Sequence, residues 1–573
     1  MSDPTKPAAA GKSQSDQLPR QIPFIIGNEG CERFSFYGMR NVLTTFLITF
    51  LLLDLPQADR AVAAKDVMHT FIIGVYFFPL LGGWISDRFI GKYNTIFYLS
   101  LVYCAGHACL AMFDSWKPGF YLGLGLIALG SGGIKPCVSS FVGDQFTQAN
   151  KHRAKMVFDL FYWIINFGSF FASLLIPFLL KSVGPAVAFG VPGCLMFVAT
   201  LVLWLGRKHY VMVPPRGSDP HAFSRIIVDA LTSKRKTTSA AAPPPAPVAP
   251  HSMALFTPER PGLVLAIAGA VVAAAALSRH AFTTLTELLA LNVPDLMGAA
   301  AASVLTTSLD FVPTFCLALL ALLVSVGAGA WLQLDRVRGQ HPDADVDGVR
   351  SVLRVLVLFA LVTPFWSLFD QKTSTWVIQA GLMTKPAWFQ PSQMQALNPL
   401  LVMLLIPFNN LVLYPALHRA GVVVTALRRM TAGIAFSGLA WIVVGVMQLQ
   451  LDQSIAHNAA VFSIAWQMLP YAILTFGEVL VSATGLEFAY SQAPPSMKGV
   501  LMSFWNLSVT MGNLWVLLAN SAVKNDDVTR AITAAGFGIT AFQMFFFAGF
   551  AFVAAIVFGL FARRYHVVDH YRG

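Results

Sequence analysis

Apolar stretches of about 20 residues recur along this chain from residue 21 to residue 563, and they restrict its fold more than any other feature. A helix of that length crosses roughly 30 Å of hydrocarbon. Hydrophobic residues form 56% of the 573-residue chain and charged residues only 12%, which excludes an ordinary soluble domain. The sequence therefore predicts an all-α integral membrane protein, built as a helical bundle in lipid.

The apolar stretches form two groups of six with an extra pair between them, which gives fourteen predicted spans. The polar, basic and proline-rich segment after the sixth span is typical of a linker between halves. The predicted spans are residues 21–53, 67–86, 95–113, 119–142, 156–181, 187–206, 261–279, 312–332, 352–381, 393–417, 426–449, 462–490, 498–521 and 537–563. The predicted domains are a cytoplasmic tail (1–20), an N-terminal six-helix half (21–206), a cytoplasmic linker (207–260), an inserted helix pair (261–332), a cytoplasmic connection (333–351), a C-terminal six-helix half (352–563) and a cytoplasmic tail (564–573).

Basic connections alternate with mixed or acidic ones along this predicted topology. The net charge is +11, and Lys and Arg collect in the first tail and after the second, fourth and sixth spans. By the positive-inside rule these connections are cytoplasmic, so both termini are expected in the cytoplasm. The first 20 residues lack the apolar core of a cleavable signal, so the first span is expected to direct insertion into the cytoplasmic (inner) membrane. No nucleic-acid partner is expected.

The chain carries none of the common catalytic or metal-binding patterns. Its six cysteines lie in or beside apolar stretches without a CxxC pair or a neighbouring histidine cluster, so they are predicted to be small core residues. A Walker loop, GxSxG and HExxH are absent from the sequence, which disfavours ATP-driven transport and hydrolysis. We therefore expect no enzyme activity, no metal and no other cofactor, and an ion gradient as the energy source.

Eight ionisable residues lie inside predicted spans, where each costs at least about 2.5 to 3.5 kcal/mol on insertion and needs a partner or a task. Glu29, Glu32 and Arg33 share one helical face because of their i, i+3, i+4 spacing. Four acids stand against three fixed cations and one histidine, so one proton would complete the balance. This balance favours proton coupling and a substrate with both an amine and a carboxylate, which peptides and amino acids both satisfy. The eight residues are Glu29, Glu32, Arg33, Arg40, His69, Lys135, Asp370 and Glu478.

Residues 83–92 (GWISDRFIGK), after the second span, resemble the GxxxDRxxGK loop of the major facilitator superfamily. In such a loop the small residue Gly83 would let helices approach, and Asp87 would pair with neighbouring helix ends. An ordinary basic loop is the alternative. The resemblance implies the major facilitator fold, in which substrate binds near mid-membrane between two six-helix halves.

Further motifs resemble those of the proton-dependent oligopeptide transporter (POT) family. Residues 29–40 (EGCERFSFYGMR) resemble its ExxERFxYYG motif. The resemblance covers the chain outside the linker and the inserted pair, and fourteen helices is the usual count of bacterial members. The other matching segments are GGIKP and FVGDQF in the fourth span, FYWIINFGS in the fifth, FWSLFDQ in the seventh and GEV with GLEFAYSQAP in the tenth.

The resemblance implies roles in proton coupling, substrate binding and gating. The implied proton-coupling residues are Glu29, Glu32, Arg33, Lys135, Asp370 and His69. The peptide carboxylate would be held by Arg40, Lys135, Tyr37, Tyr76 and Asn166, the amino end by Glu478 and Asn398, and the side-chain pockets would be shaped by Trp366, Trp505 and Phe36. The implied gating residues are Arg40, Asp370, Lys135 and Glu478.

Several positions depart from the family pattern or admit a structural explanation. Phe36 stands where a tyrosine is usual, and Asp370 where bacterial members commonly have Glu. His69 matches animal members, although a histidine opening the second span can also be an interfacial polar residue. The charged face of the first span can be a self-paired network, and Lys135 can bond carbonyls freed by the adjacent proline.

The sequence thus predicts a proton-coupled symporter that imports di- and tripeptides by alternating access, as a monomer in membrane lipid. One alternative is a related carrier of another small anion, such as nitrate, or of a drug. A non-transporting membrane receptor is the other, and it would require a signalling domain that the polar linker does not supply.

Overall fold

The computed structural model describes residues 19–146, 154–215, 222–233, 260–289, 293–492 and 497–565. Within these ranges the apolar stretches are helical, and β-structure is limited to two isolated bridges. The predicted all-α class is therefore confirmed. The helices are α1 (Ile22–Phe46), α2 (Gln57–Phe77), α3 (Pro79–Ile85), α4 (Gly91–Met112), α5 (Lys117–Asp144), α6 (Ala154–Ser182), α7 (Pro185–Leu205), α8 (Phe223–Thr232), α9 (Pro261–Leu289), α10 (Val293–Gln333), α11 (Asp343–Asp370), α12 (Thr375–Leu382), α13 (Leu397–Phe408), α14 (Tyr414–Arg419), α15 (Ala426–Ala456), α16 (Met468–Glu478), α17 (Thr484–Gln492), α18 (Lys498–Ala522), α19 (Asp526–Ala534) and α20 (Ile539–Arg564).

Twelve segments of the described chain are long and apolar enough to cross a membrane. One of them, Asp59–Met112, has 54 residues, and as a helix it would extend about 80 Å, which is enough for two crossings. It divides at Gly91, whose φ of 76° favours glycine. α1 is too polar to count among the twelve, since it carries the charged face predicted above. Counting Asp59–Met112 as two spans and adding α1 brings the number in the described ranges to the predicted fourteen.

The second span begins earlier than the sequence indicates. It was expected at 67–86, whereas α2 runs from Gln57 to Phe77, and Pro79 then opens α3. Residues 57–66 are polar, but tertiary contacts satisfy them: Asp66 Oδ2 pairs with Lys524 Nζ (2.7 Å), and Lys65 Nζ donates to Gln543 Oε1 (3.3 Å). The expectation that His69 opens this span is wrong, because His69 lies in the middle of α2.

A helix also occurs inside the segment predicted as a polar linker. α8 buries Ile226, Ile227, Ala230 and Leu231, an i, i+1, i+4, i+5 pattern that defines one apolar face. Gln333, at the end of α10, donates from Nε2 to the carbonyls of Ala230 (2.8 Å) and Leu231 (3.0 Å). These bonds satisfy carbonyls that the end of α8 leaves without intrahelical partners.

Two glycines and several cysteines differ from the sequence-based predictions. A side chain at Gly82 would lie 2.3 Å from the Gly133 carbonyl oxygen, so Gly82 permits the close approach of α3 and α5. Gly83 has only ordinary contacts at 3.9 Å, so the small residue that matters is its neighbour. All six cysteines are free, but only Cys137 and Cys316 are buried, and Cys194 is exposed, so the prediction of core residues holds for two of the six.

The described chain forms two compact units. The first unit comprises the described residues within Met1–Phe46, Phe78–Gly217 and Ala387–Leu404. Here α1 packs on α6 and α7, and α4 packs on α5 and α7. Phe46, Phe120 and Phe189 form a buried aromatic cluster with ring centroids 4.8 to 5.4 Å apart. This unit contains residues 387–404, which belong to the C-terminal half in sequence order.

The second unit comprises the described residues within Leu47–Phe77, Ser218–Pro386 and Leu405–Gly573. It contains α2 from the N-terminal half, packed on α18, and α15 packs on α16 and α20. Three buried glutamines, here termed the glutamine cluster (Gln379, Gln448 and Gln467), connect α12 and α15 with the turn before α16. Gln379 Nε2 donates to Gln448 Oε1 (3.0 Å), and Gln467 Nε2 donates to Gln379 Oε1 (3.0 Å).

Candidate functional site

The charged face of α1 forms a compact ion-pair cluster in the first unit. Arg33 Nε lies 2.6 Å from Glu29 Oε1 and 3.1 Å from Glu32 Oε2. The side chains of Glu29 and Glu32 are 1% and 3% exposed, whereas that of Arg33 is 13% exposed. One guanidinium therefore serves two buried carboxylates, which leaves one negative charge on this face when both are ionised. A second cation or one proton can neutralise it.

Lys135 supplies that second cation. It lies on α5, which continues through Pro136, and its charge acts on the Glu32 carboxylate. Its Nζ also lies 4.5 Å from the centroid of the Phe36 ring, a cation–π distance. The phenylalanine that replaces the usual tyrosine at position 36 thus contacts Lys135 through its ring.

The other predicted binding residues of this unit lie on α1, α6 and α13. Arg40 is 4% exposed, and Tyr37 packs edge-on against Phe36 with ring centroids 5.4 Å apart. Asn166, at 8% exposed, donates from Nδ2 to the Tyr162 carbonyl of its own helix (3.0 Å), which leaves its side-chain oxygen for another donor. Asn398 is half-buried at the beginning of α13.

In the second unit an asparagine bridges His69 and Asp370. Asn513 Nδ2 donates to Asp370 Oδ2 (2.8 Å) and to the Val509 carbonyl (2.9 Å). The Asn513 side-chain oxygen therefore points to His69 Nδ1 at 2.6 Å, and Nδ1 must carry the proton in this arrangement. His69 Nε2 lies 2.9 Å from Ser374 Oγ and is the nitrogen that can gain or lose a proton.

His69 and Asp370 are buried in this unit, at 0% and 1% exposed. The structure excludes the interfacial interpretation of His69, because its imidazole is fully enclosed and bonded on both nitrogens. Protonation at Nε2 would place a positive charge one amide away from the Asp370 carboxylate. The Asn513 amide can transmit that change without itself gaining a charge.

The remaining predicted residues of the second unit line its aromatic region and the end of α16. Trp366 and Trp505 are buried with ring centroids 5.8 Å apart. Glu478 and Tyr76 are half-buried. Glu478 is the last residue before a π-helical turn, Val479–Ala483, a local geometry that is frequent at functional sites.

Sequence reasoning missed Asn513 and Ser374. Asn513 lies in an apolar span, where a buried amide requires partners, and this is a signal that the sequence does carry. Its partners could not be read from the sequence, because His69, Asp370 and Asn513 are far apart along the chain. Lys372, close to Asp370 in the chain, is 5% exposed with Nζ 3.2 Å from the Phe369 ring centroid.

The chain is similar to known transporters along most of its length. The model of the POT family (PTR2) matches residues 93–287 and 333–538. Solute carrier family 15 member 2 of Mus musculus is 30% identical over 484 residues, which cover 82% of this chain and 54% of the relative. Peptide transporter family 1 of Caenorhabditis elegans is 32% identical over 455 residues, covering 76% of this chain and 46% of the relative. The chain thus spans about half the length of the curated relatives it matches.

Two solved structures resemble this chain over nearly all of its length. One is an auto-inhibited POT family peptide transporter, 60% identical with a TM-score of 0.84, covering 97% of this chain and 99% of that one. The other is the POT family transporter PepTSo, also 60% identical with a TM-score of 0.84, covering 97% and 100%. The predicted major facilitator fold, with twelve core helices and an inserted pair, is confirmed.

Proposed function

The chain belongs to the POT family, and on that premise we propose that it is a proton-coupled symporter that imports di- and tripeptides by alternating access. The observation that carries the proposal is the sharing of Arg33 by two buried carboxylates, with Lys135 as a second cation. If Lys135 turns to a substrate carboxylate, Glu32 keeps an unbalanced charge, which a proton can neutralise. Substrate and proton would then enter together.

A dipeptide matches the remaining side chains because it has one anionic and one cationic end. Arg40 and Lys135 are proposed to bind its carboxylate, with hydroxyl or amide contacts from Tyr37, Tyr76 and Asn166. Glu478 and Asn398 are proposed to bind its amine. Trp366, Trp505 and Phe36 offer apolar walls that tolerate different side chains.

Gating is proposed to use four of the same charged residues. Asp370 and Arg40 would control the outer gate, and Lys135 and Glu478 the cytoplasmic gate. Protonation of His69 would place a positive charge behind the Asn513 oxygen, which polarises the amide and strengthens its hydrogen bond to the Asp370 carboxylate. We further propose a monomer in the cytoplasmic membrane, with both termini in the cytoplasm as the positive-inside rule requires.

The proposal is tested with purified protein in liposomes under an imposed inward proton gradient. Dialanine is expected to accumulate, whereas free alanine and nitrate are not. N-acetyl-dialanine, which lacks the free amine, should compete poorly with dialanine in the wild-type protein. Accumulation of nitrate instead of dialanine would support the anion-carrier alternative.

The Glu478→Gln variant sharpens the assignment of the amine site. Loss of a charge-assisted contact should weaken dialanine binding by about tenfold or more and leave N-acetyl-dialanine almost unaffected. If the variant keeps the wild-type preference for the free amine, Glu478 does not bind it.

A further inference from the structure

Behind the ion-pair cluster, the first unit buries a row of polar side chains to which no role in transport has been assigned above. We term this row, together with the carboxyl group it surrounds, the Glu32 chamber: Glu32 and Ser35 on α1, Tyr103 and His107 on α4, and Ser131 on α5. With backbone and side chain counted together, each of the five residues is at most 2% exposed. Ser131 lies one helical turn before Lys135, so α5 contributes a residue to both the chamber and the proton-coupling cluster.

The side chains of the chamber follow one another in space from Glu32 to His107. Ser131 interacts with the Glu32 carboxylate, and the Tyr103 hydroxyl interacts with Ser131 and with Ser35. Ser35 Oγ lies 2.9 Å from His107 Nε2. The rings of Tyr103 and His107 are stacked, with centroids 5.1 Å apart, which holds the imidazole in place at the end of the row.

Most of these groups are close without being hydrogen-bonded in the strict sense. Glu32 Oε1, Ser131 Oγ, Tyr103 Oη and His107 Nδ1 have no hydrogen-bond partner among the described residues, and Glu32 Oε2 faces Arg33 Nε as an ion pair at 3.1 Å. Buried polar atoms without partners are rare and destabilising, and here they converge on a single ionisable group. A small rotation of the hydroxyl groups, or a bound water, would connect them into one chain.

The end of the row determines the direction of such a chain. The backbone of Phe189 on α7 acts on the His107 imidazole, whose Nδ1 has no hydrogen-bond partner at normal distance among the described residues. The Phe189 carbonyl can only accept a hydrogen bond. A neutral imidazole that points Nδ1–H toward this carbonyl presents Nε2 to Ser35 as an acceptor. Each hydroxyl then donates toward His107 and accepts from the side of Glu32. The first acceptor, Ser131 Oγ, consequently faces a protonated Glu32.

We propose that Ser131, Tyr103, Ser35 and His107 form a directed hydrogen-bond chain that stabilises the protonated state of Glu32. This proposal rests on the proposed proton coupling and adds positioning residues to it. The charged and titratable groups that act on Glu32 are Arg33 and Glu29 on α1, Lys135 on α5 and Tyr103 on α4. Arg33 and Lys135 favour the ionised form of Glu32, and the Glu29 carboxylate is paired with Arg33. The hydroxyl row can instead turn to accept a hydrogen bond from a neutral carboxyl.

The test compares the pH dependence of proton-driven dialanine uptake among chamber variants in liposomes. In Tyr103→Phe and His107→Leu the chain loses its direction, and the Ser131 hydroxyl can donate to the ionised carboxylate instead. Protonation then requires a lower pH, so the pH of half-maximal uptake should fall by about half a unit to one unit. His107→Gln should restore the wild-type midpoint, because its side-chain oxygen accepts from Ser35 and its amide donates to the Phe189 carbonyl.

Thr95→Val is the matched control, because Thr95 is a buried hydroxyl on the same helix that bonds the Gly91 carbonyl at 2.9 Å. Its midpoint should equal that of the wild-type protein. Counterflow of labelled dialanine, measured in parallel, reports that each variant is folded and binds substrate. A midpoint that stays unchanged or rises in both Tyr103→Phe and His107→Leu overturns the proposal, as does a failure of His107→Gln to differ from His107→Leu.

Glu32→Gln in the same assay separates this proposal from the proposed function. If Glu32→Gln concentrates dialanine like the wild-type protein, the proton-coupling role of Glu32 is wrong and the chamber has no task. If Glu32→Gln abolishes accumulation but the chamber variants keep the wild-type midpoint, only the chamber proposal fails.

Discussion

The Glu32 chamber and the glutamine cluster are buried polar groups at corresponding places in the two halves. The chamber uses α1, α4 and α5, the first, third and fourth spans of the N-terminal half. The glutamine cluster uses α12, α15 and the start of α16, in the first, third and fourth spans of the C-terminal half. Each is enclosed within its own unit. They differ in chemistry: the chamber contains a carboxylate, hydroxyls and an imidazole, whereas the cluster consists of amides, one of which, Gln448, also donates to the Asp452 carboxylate at its edge (2.8 Å).

This difference determines what each group can do. An amide has a fixed acceptor end and a fixed donor end, so the glutamine cluster has one hydrogen-bond direction and cannot take up a proton. Gln379 and Gln467 bond each other and nearby carbonyls, including that of Val444 (3.0 Å). Hydroxyls and imidazole can reverse direction, so the chamber can follow a change in protonation. The comparison indicates a glutamine cluster with fixed hydrogen bonds in the second unit and a proton-responsive chamber in the first.

The largest effect is expected for Glu32→Gln, which removes the ionisable group of the chamber. Accumulation of dialanine should be lost, since a proton crossing 100 mV contributes about 2.3 kcal/mol, or more than tenfold accumulation. Counterflow should persist, because it requires no net proton movement. Glu487→Gln is the control, since Glu487 is largely exposed and lies 4.0 Å from Arg429. Equal accumulation by Glu32→Gln and the wild-type protein would show that the chamber, like the glutamine cluster, does not respond to protons.

Asn513→Leu should have the next largest effect, because it tests whether the second unit also responds to protons. The change leaves buried His69 and Asp370 without their bridge, which should destabilise the fold by about 1 to 3 kcal/mol and alter the pH profile of uptake. Thermal unfolding in detergent and uptake between pH 5 and 8 measure the two effects. Asn506→Leu serves as the control, because Asn506 on the same helix bonds only its own backbone at Met502 (3.1 Å) among the contacts described. A changed stability with an unchanged pH profile would make the bridge purely structural.

Gln379→Leu is expected to affect stability alone. Gln448 and Gln467 would each lose a partner, which should destabilise the protein by about 1 to 3 kcal/mol. The pH midpoint of uptake should stay at the wild-type value, in contrast to the chamber variants. Gln453→Leu on α15 is the control, because Gln453 is exposed. A shifted pH midpoint in Gln379→Leu would contradict the division between a neutral and a proton-responsive cluster.

The smallest effect is expected for Arg338→Ala, at an exposed ion-pair network outside the spans. Arg338 pairs with Asp335 (2.9 Å) and Asp347 (2.5 Å), and hydrogen bonds from Arg350 and Arg338 hold the pKa of the Asp335 carboxyl below its usual range. A lowered pKa stabilises the fold above the unfolded value near 3.8, and this contribution is lost as the pH falls through the folded value. At pH 7 the unfolding temperature should fall less than in Gln379→Leu, and salt should reduce the difference further. An effect larger than that of Gln379→Leu would show that exposed charges outweigh the buried amides.

Local composition and short motifs were enough to predict the membrane class, the fourteen spans and the family, because none of these depends on long-range contacts. The one-face spacing of Glu29, Glu32 and Arg33 also predicted their ion pairs, since i, i+3 and i+4 residues of a helix are neighbours. Hydropathy placed the second span ten residues too late, because it could not show that Asp66 and Lys65 are paired through tertiary contacts. α8 was missed for the opposite reason, since a short amphipathic helix inside a polar linker leaves little signal.

Which distant polar residues meet depends on how the helices pack. His69, Asn513 and Asp370 come from three different helices, and so do Glu32, Tyr103 and Ser131. Nothing in local sequence distinguishes a buried serine that bonds its own helix from one that turns to a carboxylate. Helix packing makes that distinction, because in a bundle each polar side chain is satisfied by whatever the neighbouring helix presents at the same depth.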